Sequence, residues 1–128
     1  NIRAPMFVVA TERDHVAPWR SVYKIHQLVD TDVTFVLTSG GHNAGIVSEP
    51  GHAGRHFRTA LKHNTDTCLG PDEWVSAATQ KTGSWWVDWQ NWLVGHSSQA
   101  RVRPPAMGAA DKGYAPVSEA PGTYVFQR

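Results

Sequence analysis

The sequence has 128 residues, 41% of them hydrophobic and 18% charged, enough for one small globular unit with a modest core. Twelve Lys and Arg against eleven Asp and Glu give a formal charge of +1, which excludes the basic footprint of a dedicated nucleic-acid binder. No apolar run approaches the roughly 18–20 residues needed to cross a bilayer, and the single Cys68 has no internal disulfide partner, so a cytoplasmic protein without a transmembrane segment is expected.

The opening Asn-Ile-Arg-Ala-Pro runs straight into a strand pattern, as expected of a piece of a longer chain. Pro5 to Ala10 is a short continuous apolar run that suits a central strand of a parallel sheet, buried on both faces. From Trp19 to Val29 the period changes. Val22, Ile25 and Val29 fall on one helical face, Arg20, Lys24 and Gln27 lie elsewhere, and Pro18 suits the first turn. Asp32 to Ser39 is a second β-rich run, stopped by Gly40-Gly41. Strand, helix and strand within some forty residues make a parallel βαβ unit.

Beyond a Gly/Pro-rich stretch, Phe57, Thr59 and Leu61 alternate with Arg58, Ala60 and Lys62, the pattern of a polar edge strand. Pro71-Asp72-Glu73 begins a helix carrying Trp74, Ala77 and Ala78, a pattern that lasts until Gly83 breaks it. Ser84 can cap a further helix with Trp85, Trp89, Trp92 and Leu93 on one face, ending near Gly95. Ser97 to Arg128 is rich in Ala, Pro, Gly and Arg and reads as a tail, with local order only around Gly122 to Phe126.

Asp14 follows the first strand and His42 the second. Parallel strands put those two carboxyl ends on one rim, where catalytic groups of open α/β sheets gather, so acid and imidazole can meet there. The carboxylate would hold the imidazole Nδ1–H, fix its tautomer and stabilise the imidazolium formed when His42 takes a proton from a nucleophile. A competing reading makes Asp14 a turn or cap residue only. Both stay open on spacing alone.

Three blocks, Arg13-Asp-His-Val-Ala-Pro-Trp19, Gly40-Gly-His-Asn-Ala-Gly-Ile46 and Gly83-Ser-Trp-Trp-Val-Asp-Trp89, resemble in order and separation the carboxy-terminal part of polyhydroxyalkanoate synthases. The resemblance covers roughly residues 4 to 95 and implies an α/β fold, the C-terminal portion of an α/β-hydrolase fold. Residues 1–95 would be the C-terminal part of its catalytic domain, and 96–128 an extended or mobile tail. It implies that Asp14 and His42 match the catalytic acid and base, and that the nucleophile, a Cys on a strand-to-helix elbow, lies upstream. The implied reaction polymerises (R)-3-hydroxyacyl-CoA into polyester with release of CoA, the thioester being substrate and no cofactor being required. The implied partners are hydroxyacyl-CoA, the growing polyester, the upstream part of the same protein, the polyester granule surface and a second copy of the chain.

The sequence departs from the family pattern Ser-Gly-His-Ile-Ala-Gly with a following Asn-Pro-Pro, having Gly40, Asn43 and Ser48-Glu49-Pro50 instead. Gly41 and Asn43 flank the base, and His15 adjoins the acid, where they would shape the substrate entrance. Two rival functions share the features: a polyester depolymerase or thioesterase with water as acceptor, and a non-catalytic granule-binding or oligomerisation module. Cys68 is not expected to be the nucleophile, because it follows the acid and histidine in the chain and lacks a Gly-rich elbow. No metal site is expected among His26, His52, His56, His63 and His96, since the nearest pair, His52 and His56 at i, i+4, straddles Ala53-Gly54 in an expected loop. Arg13, Arg20, Lys24 and Arg55 are weak candidates for CoA phosphates. The tryptophans of the last helix are expected to pack on the sheet rather than on a granule or membrane.

Overall fold

A computed structural model describes residues 2–98 and 100–127. It divides into two units, Asn1–Ser97 and Ser98–Arg128. The first unit is built in chain order from β1 (Met6–Thr11), α1 (Trp19–Val22), α2 (Ile25–Leu28), β2 (Val33–Thr38), β3 (His56–Lys62), α3 (Pro71–Ala77), β4 (Thr79–Thr82) and α4 (Trp86–Gly95). The strands form one sheet in the order β1-β2-β3-β4, so the chain is a mixed α/β protein.

β1 and β2 pair in parallel from Met6 opposite Val33 to Thr11 opposite Thr38, as the βαβ reading expects. Within this chain β1 pairs on one side only. Its first four residues are only half-buried, while β2, paired on both sides, carries Val33, Phe35, Val36 and Leu37 into the interior. β3 is the converse correction: it lies between β2 and β4, antiparallel to both, and the edge role belongs to β4. The helix expected through Gly83 ends at Ala77, and Thr79–Thr82, exposed throughout, continues as a strand held by its backbone ladder to β3.

The helix expected from Trp19 to Val29 is two short helices instead. Its most buried residues are Tyr23 and His26 rather than the aliphatic positions. These two rings pack with Phe35 and Trp74 in tilted and edge-to-face contacts, at centroid separations of 4.5–5.7 Å, into the core on one face of the sheet. Pro18 stands just ahead of α1 rather than inside it. α3 starts with Pro71, and the Glu73 carboxylate accepts the Gly70 N–H, satisfying one of the amide donors that a helix start leaves free.

Val36, Phe57 and Trp85 form a second core on the opposite face, joined by Phe7, Val9 and Trp86. The Phe7 ring meets Trp85 and Trp92 at 6.3 and 5.8 Å, which docks α4 on the sheet. Ser84 Oγ accepts the Trp86 N–H at the start of that helix. Trp89, Leu93 and Val94 are exposed, so packing on the sheet accounts for only part of the aromatic face. Ser98–Arg128 holds two short 3₁₀ turns, Ala110–Lys112 and Tyr124–Phe126, and a bridge between Ala109 and Tyr114. No helix among the described residues is long and apolar enough to cross a membrane.

Candidate active site

The parallel register ends with Thr11 beside Thr38, so both chains leave the sheet at one rim. The Glu12 N–H donates to the Thr38 carbonyl and the Arg13 N–H to that of Gly40, extending the pairing into the two loops that carry the acid and the imidazole. There His42 Nδ1 lies 2.8 Å from Asp14 Oδ2. The Asp14 side chain is 7% exposed and that of His42 47%, so the acid is tucked beneath the ring while the imidazole stays open to an incoming group.

Each carboxylate oxygen of Asp14 has its own partners. Oδ1 accepts the backbone N–H groups of Val16 and Ala17, both at 2.8 Å, as an Asp does when it turns the chain. Oδ2 faces His42 and, at 3.4 Å, the Thr11 hydroxyl. Asp14 therefore turns the chain with one oxygen and contacts His42 with the other. The Ala17 N–H does most to hold the Asp14 carboxyl down, from 3.8 to about 2, working against burial and with the help of His42 and Val16.

The loop after His42 is a tight turn in which the Gly45 N–H donates to the Gly41 carbonyl and those of Ile46 and Val47 to the Asn43 carbonyl. Gly45 is required there. An added Cβ would lie 2.5 Å from Thr11 Cγ2 and 3.0 Å from the Ser39 carbonyl oxygen. The opposite side of the loop is held by the tryptophan block, with Trp85 Nε1 donating to the Gly45 carbonyl at 3.1 Å and Trp86 Nε1 to that of Ile46 at 2.9 Å. Thr11, Gly45, Trp85 and Trp86 were not expected at the site. Only the indoles left a signal, because a buried Trp N–H needs an acceptor.

His15 and Asn43 are exposed beside the pair, and Gly41 is half-exposed. Cys68 lies in the stretch between β3 and α3, where its thiol donates to the Leu69 carbonyl at 3.5 Å beside the Tyr23 hydroxyl, and no contact joins it to Asp14 or His42 among the described residues. His52, His56 and His63 each face a carboxylate, of Glu49, Glu12 and Asp32 respectively, and no group of three or more His, Cys, Asp or Glu gathers among the described residues. Arg20 is engaged by Asp72.

No protein-family model matches the chain. It is 32% identical over 127 residues to poly(3-hydroxyalkanoate) polymerase 1 of Ectopseudomonas oleovorans, covering 99% of this chain and 22% of that protein. It is 33% identical to the poly(3-hydroxyalkanoate) polymerase subunit PhaC of Cupriavidus necator, covering 98% of this chain and 20% of the relative. With a poly(3-hydroxyalkanoate) polymerase of Methylorubrum extorquens the identity is 37% over 130 residues, 97% of this chain and 20% of the relative. The chain spans about a fifth of the length of these curated relatives. Over nearly its whole length the chain is thus similar to one segment of poly(3-hydroxyalkanoate) polymerases.

Proposed function

We propose that this chain supplies the acid and base of an acyltransferase that polymerises (R)-3-hydroxyacyl-CoA, the nucleophile being a Cys on polypeptide outside these residues. The observation that carries the proposal is the 2.8 Å contact between His42 Nδ1 and the sheltered Asp14 Oδ2 at the open rim. With Nδ1–H donated to Asp14, Nε2 is free to accept the thiol proton. The thiolate attacks the thioester carbonyl, and CoA leaves as the thiol with the proton His42 returns. His42 then takes the proton of an incoming hydroxyl, whose oxygen attacks the acyl-enzyme, lengthening the ester chain and freeing the Cys. Asp14 offsets the imidazolium charge in both halves. The CoA thioester is a substrate, and this chemistry needs no cofactor.

The same reading puts the protein in the cytoplasm in contact with its polyester. The exposed Trp89, Leu93 and Val94 of α4 favour a contact with the granule surface or a second copy. The test is His42→Ala in a polymerase-length protein carrying this segment. CoA release should fall to background, whereas unchanged turnover refutes the assignment.

A further inference from the structure

We propose that Trp85 and Trp86 are positioning residues for His42, acting through the backbone of the loop that carries it; the inference rests on the role proposed for His42 above. Three consecutive residues reach that loop. Ser84 Oγ donates to the Ser48 carbonyl, Trp85 Nε1 to that of Gly45, and Trp86 Nε1 to that of Ile46. The three acceptors lie three to six residues beyond His42, at the end of the turn closed by Gly41 and Asn43.

The donors are themselves fixed. Trp85 is buried with Val36 and Phe57 and stacks on Phe7, so its N–H is tied to the sheet rather than to a mobile surface. Ser84 Oγ also accepts the Trp86 N–H, fixing the start of α4. On the opposite side, Gly45 meets Thr11, whose hydroxyl is bonded to the same Asp14 oxygen that faces His42. The His42 loop is thus gripped between the strand that presents the acid and the helix start that presents the indoles. Slack on the indole side shifts His42 against Asp14, and a displacement near 1 Å is enough to cost about a hundredfold in rate.

The experiment uses a polymerase-length protein carrying this segment, with 15N-labelled histidine. Trp85→Phe, Trp86→Phe and the double variant keep a ring for packing and delete the N–H. Trp86 is only partly buried, so its single variant keeps the fold. Trp74→Phe, in the core on the other face of the sheet, is the control for a purely structural tryptophan. Expected are a loss in kcat of about ten- to hundredfold with KM within about twofold, and broadening or loss of the His42 Nδ1–H proton signal. Trp74→Phe should lower the melting temperature while leaving both readouts in place.

Indole-to-Phe variants with kcat within about twofold of the parent and an intact Nδ1–H signal overturn the inference. His42→Ala separates the two claims. If it retains turnover, the catalytic reading fails, and the Nδ1–H signal alone then judges whether the indoles hold the imidazole. If it abolishes turnover while the indole variants behave as the parent, the clamp fails and the catalytic reading stands.

Discussion

Asp14→Asn is the sharpest perturbation, because the structure dictates how the amide must sit. Oδ1 accepts two backbone N–H groups at 2.8 Å, from Val16 and Ala17, and an amide NH2 cannot replace an acceptor there. The Asn oxygen takes that position and the NH2 group takes the place of Oδ2, 2.8 Å from His42 Nδ1. A donor facing Nδ1 makes that nitrogen the acceptor and leaves the proton on Nε2, so the imidazole points a proton at the nucleophile it should deprotonate. The same substitution in a serine-protease triad costs about 10⁴ in kcat with geometry intact, and a loss of that order is expected here. The assay is CoA thiol release by a polymerase-length protein, beside a 15N spectrum of His42 that reports its tautomer. KM should change little. A variant within about tenfold of the parent, or one with Nδ1 still protonated, refutes the reasoning.

Gly45→Ala puts a methyl 2.5 Å from Thr11 Cγ2 and should cost about 1–3 kcal/mol in urea unfolding, together with a fall in kcat as the His42 loop is pushed away. Phe35→Ala empties a fully buried position between Tyr23, His26 and Trp74 and should cost about 3–5 kcal/mol by the same measurement. Burial, with Lys62 second, holds the His26 imidazole below its ordinary 6.5, so the unfolded chain binds the proton more readily. Its contribution is complete above that value and declines as pH falls below it; melting between pH 7 and pH 5 should drop in the parent and drop less in His26→Phe. Asp14, held down to about 2 from 3.8, contributes stability above the higher value that disappears as pH falls toward the lower one. Asp14→Asn should lack that acid-side slope in a melting series.

What the sequence made legible was local. β1 and β2 announce themselves as apolar runs, and a parallel pair of strands is enough to deliver Asp14 and His42 to one rim. Strand position within the sheet is nonlocal. β1 reads as central, and within this chain it pairs with β2 alone, while β2 has neighbours on both sides. β4 was invisible for a related reason: Thr-Gln-Lys-Thr buries no side chain, and only its backbone register with β3, from His56 opposite Thr82, makes it a strand. The inward face of α1 and α2 is set by rings instead of aliphatics. Tyr23 and His26, three positions apart, take the core contacts and set which face turns inward.

Asp14 and the departures from the family pattern follow one physical rule, that the backbone at the strand ends sets the precision of the site. Asp14 can orient an imidazole because two amides of its own turn immobilise one oxygen and leave the other committed to His42. Gly40 adopts φ 112°, and a Cβ there would lie 2.9 Å from the Gly45 backbone, so a residue without a side chain lets the His42 loop close. Asn43 contributes its carbonyl, which accepts from Ile46 and Val47, while its side chain stands exposed. Exchanging an apolar side chain for an amide at that position leaves the turn's hydrogen bonds intact and alters only the surface beside the imidazole. The departure at Asn43 thus falls on the exposed surface beside the imidazole, and the contact between Asp14 and His42 is insulated from it.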